Sequence, residues 1–293
     1  MAAVRGNILH KVWEMLAQTK LAQQENRESF ICDGIGDLDA KLPDANYFLK
    51  LSYEYYKQIT PECTFKDDDF KECKKLMDKG LNAQNGSFNP LNLDIVQPEQ
   101  RFDIKLEQDW AKYEWEYQGE KIQGNLVLRG TIDLISRVSD DTWEIIDLKT
   151  GAMRDWGKNK NKDYNTLMDD DQLILYYYAV KRLYPKIKHT IVTINYIKHQ
   201  PITLPYGQEQ YDKAEKLLKT KLKLLKKIKV PKLTIDYRCG YCHFGKTKQE
   251  GSNLSICEYM RQQIKKNGLQ NTVDTHLVNI AKLKEYAGGG RST

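Results

Sequence analysis

The stretch "RGTIDLISRVSDDTWEIIDLKTG", Arg129 to Gly151, constrains the fold more than any other part of the chain. Two runs rich in β-branched residues flank "SDD", which supplies a tight turn, so the stretch predicts two antiparallel strands. Each strand carries an acid among apolar neighbours: Asp133 in "TIDLI" and Asp147 in "EIIDLKTG". Side chains two apart on a strand share a face, so Asp147 and Lys149 project together. Asp133, on the neighbouring strand, can point at the same spot. A desolvated carboxylate costs several kcal/mol unless it is paired or bound to a metal. Two carboxylates beside an ammonium therefore predict a site for a hard divalent cation such as Mg²⁺, which prefers oxygen ligands. Such an ion turns water into a nucleophile, and the lysine can orient it or offset charge on a phosphorane-like centre. A lone D-x-K would ordinarily be a buried ion pair. "GxxD", a turn, "DxK" and "TG" in succession form a much rarer combination.

Around this hairpin, residues 5–24 hold Ile8, Leu9, Val12, Trp13 and Leu16 at helical spacing. Residues 29–90 are irregular, with helices expected near 45–58 and 67–81 and a break at "NAQNGSFNPLN". Strands are expected over 94–106, 112–118, 122–138 and 142–150, in an antiparallel run. "DDDQLILYYYAVKRLY" (169–184) reads as a helix stopped by Pro185, "HTIVTINYIK" (189–198) as a central strand, and "QPITLPY" as its hairpin partner. Residues 208–229 form a basic amphipathic helix, and "GGGRST" ends a disordered tail. The lysines of 213–232 read as a solvated face and "NKNKD" (159–163) as a loop bordering a cleft. This order predicts one α/β domain with a mixed sheet.

Hydrophobic residues make up 40 % of the 293, enough for a core, and the net charge of +6 suits a polyanionic partner. No run approaches the roughly 18 apolar residues of a membrane span. His10, Lys11 and Glu14 interrupt the N-terminal stretch, so it does not read as a secretory h-region; its amphipathic character resembles a transit peptide, the less favoured reading. Six cysteines are too few for a disulfide scaffold in a chain of this length, so a reducing compartment is expected. Cys239 and Cys242 form C-x2-C, and Cys257 follows after fourteen intervening residues, a spacing that suits zinc or an iron–sulfur cluster.

These motifs, in this order, resemble the PD-(D/E)XK nuclease superfamily, and in particular its RecB-like branch of phage and CRISPR-associated iron–sulfur exonucleases. The resemblance spans residues 5 to 259. In "RGNILHKVWE" it implies His10 as a metal ligand, and in "VQPEQRFDI" it implies Glu99 as a site carboxylate. It implies Asp133 of "RGTIDL" and Asp147 of "EIIDLKTG" as ligands, Lys149 as the catalytic lysine, and the Leu148 carbonyl as a further ligand. "QLILY" matches the Q-x-x-x-Y helix and assigns Gln172 and Tyr176 to positioning the active-site elements or the DNA backbone. Alone, His10 would read as a helix-surface residue, Glu99 as a solvated strand end, and Gln172 with Tyr176 as packing.

The implied fold is a restriction-endonuclease-like α/β core. It has a central mixed β-sheet flanked by helices over 1–236, a helical insertion at 29–90, a cysteine-rich segment at 237–262 and a tail at 263–293. The implied activity is a metal-dependent DNA exonuclease using Mg²⁺ or Mn²⁺ to activate water, on DNA of any sequence. The alternatives are a structure-specific endonuclease on the same site, a non-catalytic DNA-binding subunit of a recombination or repair complex, and a zinc-ribbon interaction protein. A [4Fe–4S] cluster, or zinc in its place, is implied for Cys239, Cys242 and Cys257. The fourth cysteine of the relatives lies upstream of the histidine helix, where this sequence has only four residues before "RG". Either the chain is truncated or Cys32 (less readily Cys63, Cys73 or His243) substitutes. The expected setting is cytoplasmic or nucleoid-associated, or host cytoplasm if phage-encoded, with a helicase or recombination partner and no membrane.

Overall fold

A computed structural model describes residues 1–117, 119–155, 160–227, 242, 244, 247–272 and 274–275. By packing, the chain forms two units. The first comprises Met1–Ile104 and Leu128–Leu217, the second Lys105–Val127 and Leu218–Thr293.

The first unit opens with helix α1, Ala2–Gln24, whose residues Ile8, Leu9, Val12, Trp13, Met15 and Leu16 are buried. A short hairpin follows, β1 (Ser29–Cys32) and β2 (Gly36–Asp39), then α2 (Ala45–Ile59) and α3 (Asp67–Leu81). Asp44 starts α2 by accepting hydrogen bonds from the amides of Asn46 and Tyr47, which satisfies donors that a helix start leaves open. The hairpin lies in the stretch read as irregular. Strands of four residues are too short to show a two-residue period, and Gly34 at φ 78° turns between them.

The central sheet contains β3 (Asp94–Lys105), β6 (Val127–Ser139), β7 (Thr142–Lys149), β10 (His189–Tyr196) and β11 (Ile202–Tyr206), in the order β11-β10-β7-β6-β3. It is mixed: β6–β7 and β10–β11 run antiparallel, β7–β10 parallel. The parallel pair requires a crossover, and α5 (Asp171–Leu183) supplies it, preceded by the short α4 (Tyr164–Met168) and the two-residue pairing of β8 (Arg154–Asp155) with β9 (Lys160–Asn161). This is the restriction-endonuclease-like α/β arrangement that the sequence predicts. Residues Glu144 to Leu148 are buried without alternation, as expected of a strand covered on both faces. Leu148 and Ile197 share one apolar cluster with α1, α2 and α3. Leu134 and Ile146 pack with Ala17, Phe88 and Ile95.

The predicted antiparallel run differs in one respect. The stretch 122–138 is two strands, β5 (Glu120–Asn125) and β6, broken at Leu126. The backbone of Leu126 bonds instead to Leu106 and Ala111. β5 pairs with β4 (Lys112–Tyr117) as a separate ribbon in the second unit. Period-2 patterning marks both strands but says nothing of which sheet they join. Helix α6, Gln208–Lys227, has its first ten residues in the first unit and the rest in the second. The second unit also contains α7, Ile256–Asn267, opened by a reciprocal Ser255–Glu258 cap. No helix among the described residues is long and apolar enough to cross a membrane.

Candidate active site

The β6–β7 register pairs Leu134 with Ile146 and Ile135 with Ile145. Extended by one residue, it sets Asp133 opposite Asp147, where the ladder stops. There the Asp133 carboxylate takes over the role of a strand partner: the Leu148 amide donates to its Oδ2 at 2.7 Å. The two acids are thus brought together by hairpin geometry alone.

Helix α1 lies over this point. His10, Trp13, Glu14 and Ala17 recur at helical spacing and line a small cavity with Glu99, Asp133, Leu134, Ile146 and Leu148. Gly6 makes the approach possible, since a Cβ there would stand 3.0 Å from Thr150 Oγ1, just past the D-x-K strand. His10 Nδ1 lies 3.5 Å from Asp133 Oδ2. Burial works against protonation of His10, but the Asp133 hydrogen bond and the charges of Asp133, Glu99 and Asp147 outweigh it and raise its pKa.

Glu99 arrives from β3 through a kinked backbone. Its φ is +45°, a left-handed value that is costly for a residue with a side chain, and such strain collects at functional sites. The kink breaks the strand's alternation, leaving Ile95, Pro98 and Phe102 as its buried positions. Burial, with Asp133 and Glu14 nearby, pushes the Glu99 carboxyl up to about 7. The Tyr184 hydroxyl donates to Gln100 Oε1 at 2.7 Å, which ties this part of β3 to the end of α5.

Asp147 is 1 % exposed. Lys149 Nζ stands 2.8 Å from each of its oxygens, but the angles make a hydrogen bond only at Oδ1. Oδ2 therefore has a charged neighbour and no hydrogen bond. Burial is the main reason that Asp147 titrates high, at about 6, with Lys149 opposing. Gln172 lies over the pair. Lys149 Nζ donates to its Oε1 at 3.3 Å, and its Nε2 donates to Asp147 Oδ1 at 3.4 Å and to the Tyr176 hydroxyl at 2.7 Å. Asp170 caps α5 by accepting from the Gln172 amide and also holds Lys162 at 2.7 Å, so both ends of the 163–169 connection are tied at the site.

The donor set suits a hard divalent cation. One nitrogen and carboxylate oxygens from His10, Glu99 and Asp133 lie within 4.8 Å of one another, the one such group among the described residues. Beside it sits a buried carboxylate oxygen without a hydrogen bond. Asp147 stands outside the tight trio, although the sequence grouped it with His10 and Asp133. Glu14 was missed by the sequence reading. It sits one turn beyond His10, and the H-x-x-x-E spacing on a helix was its available signal.

The cysteines divide. Cys32 is a core residue of the first unit, 1 % exposed, with its thiol 3.9 Å from Glu14. Burial pushes that thiol up to about 12, which favours the neutral form over a thiolate ligand. Cys242 and Cys257 are free and half-buried, whereas Cys239 and His243 lie outside the described residues. Among the described residues no cysteine belongs to a ligand cluster.

The profile of the PD-(D/E)XK nuclease superfamily matches residues 1–246, which cover the hairpin, α1 and the Q-x-x-x-Y helix. This chain belongs to the PD-(D/E)XK nuclease superfamily. A solved structure similar to it is that of a candidate exonuclease from Eubacterium rectale, at 12 % identity, covering 73 % of this chain and 75 % of that one, with a TM-score of 0.41. No functionally curated protein matches the chain.

Proposed function

We propose that this chain is a metal-dependent deoxyribonuclease of the RecB-like type that degrades DNA from an end. The observation that carries the reading is the convergence, at the open end of the β6–β7 hairpin, of the His10–Glu99–Asp133 trio with Asp147 and Lys149. His10, Glu99, Asp133 and Asp147, with the Leu148 carbonyl, would hold Mg²⁺ or Mn²⁺. When bound, the cation supplies Lewis acidity, lowering the pKa of an attacking water and offsetting charge on the phosphate. Lys149 keeps its ammonium at the edge of this site, where negative charge grows on the phosphoryl oxygens. Gln172 holds that ammonium through Oε1, and Tyr176 fixes the Gln172 amide from the other side. The Asp133 carboxylate, anchored on the Leu148 amide, keeps the two strands at fixed separation.

The test is digestion of end-labelled linear DNA and of circular DNA with Mg²⁺ or Mn²⁺. Loss from the ends of linear DNA, with circles left intact, supports the reading. Cutting of circles moves it to an endonuclease on the same site. Asp133→Ala, Asp147→Ala and Lys149→Ala each remove a charge and should cost at least roughly 10²–10³-fold. A Lys149→Ala variant as fast as the parent, with unchanged circular dichroism, would overturn the mechanism. A chain that binds DNA but cleaves none of these substrates would be a binding subunit instead.

A further inference from the structure

In the second unit, a groove of about 680 Å³ runs along the β4–β5 ribbon. Its walls carry three ammonium groups, Lys105, Lys112 and Lys226, the amides of Gln123 and Asn125, and one carboxylate, Glu114. The ribbon register explains the grouping. Lys112 pairs with Asn125 and Glu114 with Gln123, so these four side chains alternate onto one face of the ribbon. Lys105 enters from the chain just before it, and Lys226 from the last turn of α6.

The charge of this groove is open to a ligand. Lys121 neutralises Glu114 at 2.9 Å. Lys112 and Lys105 face Asp109 and Glu107 at 2.8 and 3.7 Å, but those carboxylates are 96 % and 71 % exposed. Surface pairs of that kind contribute little and yield readily to a stronger anion. Lys226 donates to the Lys112 carbonyl at 2.8 Å, which fixes the position of its ammonium over the ribbon without cancelling its charge. Asn125 is itself held by the Leu106 carbonyl. The result is three cations along one groove, with amides between them and the Tyr113 ring among its lining. That chemistry fits a polyanion with regularly spaced charges.

We infer that this groove is a second DNA-backbone contact, separate from the cleavage residues, in which Lys105, Lys112 and Lys226 bind successive phosphates. The inference rests on the nuclease reading for the choice of DNA as the polyanion. It predicts sequence-independent binding that releases counterions, each phosphate contact adding roughly 0.7–0.9 to the slope of log affinity against log salt.

The experiment uses the full chain in EDTA, where binding is read without cleavage, on a short mixed-sequence duplex and on its single strand. Replacing Lys105, Lys112 and Lys226 together with Gln should lower the slope by roughly 2–3 and weaken binding on the order of 10²-fold at ~0.1 M salt. The same three changed to Arg should restore the slope, since the charge returns. Lys41, Lys71 and Lys188 changed together to Gln provide the control. They are exposed, lie in the first unit, and remove the same net charge. That control should leave the slope near the parent's. A groove triple with the parent's slope, or a control triple that loses as much, overturns the inference, as does a parent that binds no DNA. A parental cleavage assay with Mg²⁺, run alongside, judges the nuclease reading by itself. DNA binding that falls with the groove lysines in a chain that cleaves nothing would sustain the groove and sink the nuclease.

Discussion

Replacing Asp147 with Asn should make the metal-free protein more stable while it abolishes cleavage. The Asp147 carboxyl is 1 % exposed and titrates at about 6 against an ordinary 3.8. The sign follows from that order. An acid whose folded pKa is raised stabilises the fold below its unfolded pKa, and this contribution is lost as pH rises through the folded value. At neutral pH without a cation, ionised Asp147 therefore costs on the order of 3 kcal/mol, at roughly 1.4 kcal/mol per pH unit. Asn keeps the shape and an oxygen for Lys149. It leaves an amide nitrogen where Oδ2 has no hydrogen bond, a penalty of about 1–2 kcal/mol. The net gain is on the order of 1–2 kcal/mol, or roughly 2–4 °C per kcal/mol in a domain of this size. The assay is thermal melting in EDTA at pH 7.5 and again below pH 3.8, then at pH 7.5 with Mn²⁺. The gain should vanish at the acid end. Mn²⁺ should stabilise the parent, by about 2.7 kcal/mol at a hundredfold excess over Kd, and the variant less. A variant less stable than the parent in EDTA at pH 7.5, or one that gains as much from Mn²⁺, would refute the account of Asp147 as a strained, cation-ready carboxylate.

Three further outcomes follow from other parts of the fold. Glu144 is buried in β7 and its carboxyl is pushed up, because burial outweighs the hydrogen bond donated by Thr193. By the same sign, Glu144→Gln should raise the melting temperature at pH 8 and not near pH 4, and an equal effect at both would contradict it. Gly130→Ala would place a Cβ 2.5 Å from the Phe102 ring, which packs edge-on against Tyr176 at 6.4 Å. Overpacking of about 1–3 kcal/mol should appear in urea unfolding, with cleavage reduced as Tyr176 shifts from Gln172; parental stability would refute the contact. Cys32→Ala should cost about 1 kcal/mol and leave the metal content unchanged, whereas Cys239→Ser, Cys242→Ser or Cys257→Ser should each release the same metal if that segment is a metal staple. Elemental analysis of the four variants decides, and metal lost with Cys32 would make it a ligand after all.

What the sequence made legible was whatever depends on near neighbours. The β6–β7 hairpin could be read because alternation, turn chemistry and the placing of Asp133 against Asp147 are all settled within twenty-three residues. The Gln172–Tyr176 pair could be read because four residues make one helical turn, and the two side chains are hydrogen-bonded at 2.7 Å. What stayed hidden depends on which elements meet. The strand-end reading of Glu99 could not anticipate a left-handed φ, because that value is imposed by the surroundings of β3 and not by "QPEQ". Likewise β4 and β5 look like members of the central sheet until the backbone of Leu126 is seen to bond elsewhere.

The two "RG" dipeptides lie between these cases. Each precedes a site residue, Gly6 before His10 and Gly130 before Asp133, and each glycine clears space for a side chain distant in sequence: Thr150 for Gly6, Phe102 for Gly130. Their positions could be seen as a pattern, but their purpose could not. Without a Cβ at residue 6, α1 can sit low enough over the end of β7 to bring His10 within 3.5 Å of Asp133. With a Cβ there, Thr150 Oγ1 at 3.0 Å must give way, or the helix must rise. Gly6→Ala should therefore leave α1 helical, since alanine is the better helix former, yet loosen the His10–Asp133 contact. The expected signature is a His10 pKa, read by NMR titration, that moves down toward its ordinary 6.5 as the Asp133 hydrogen bond weakens. An unchanged titration in the alanine variant would mean that the side chain of Thr150 yields and the glycine is dispensable.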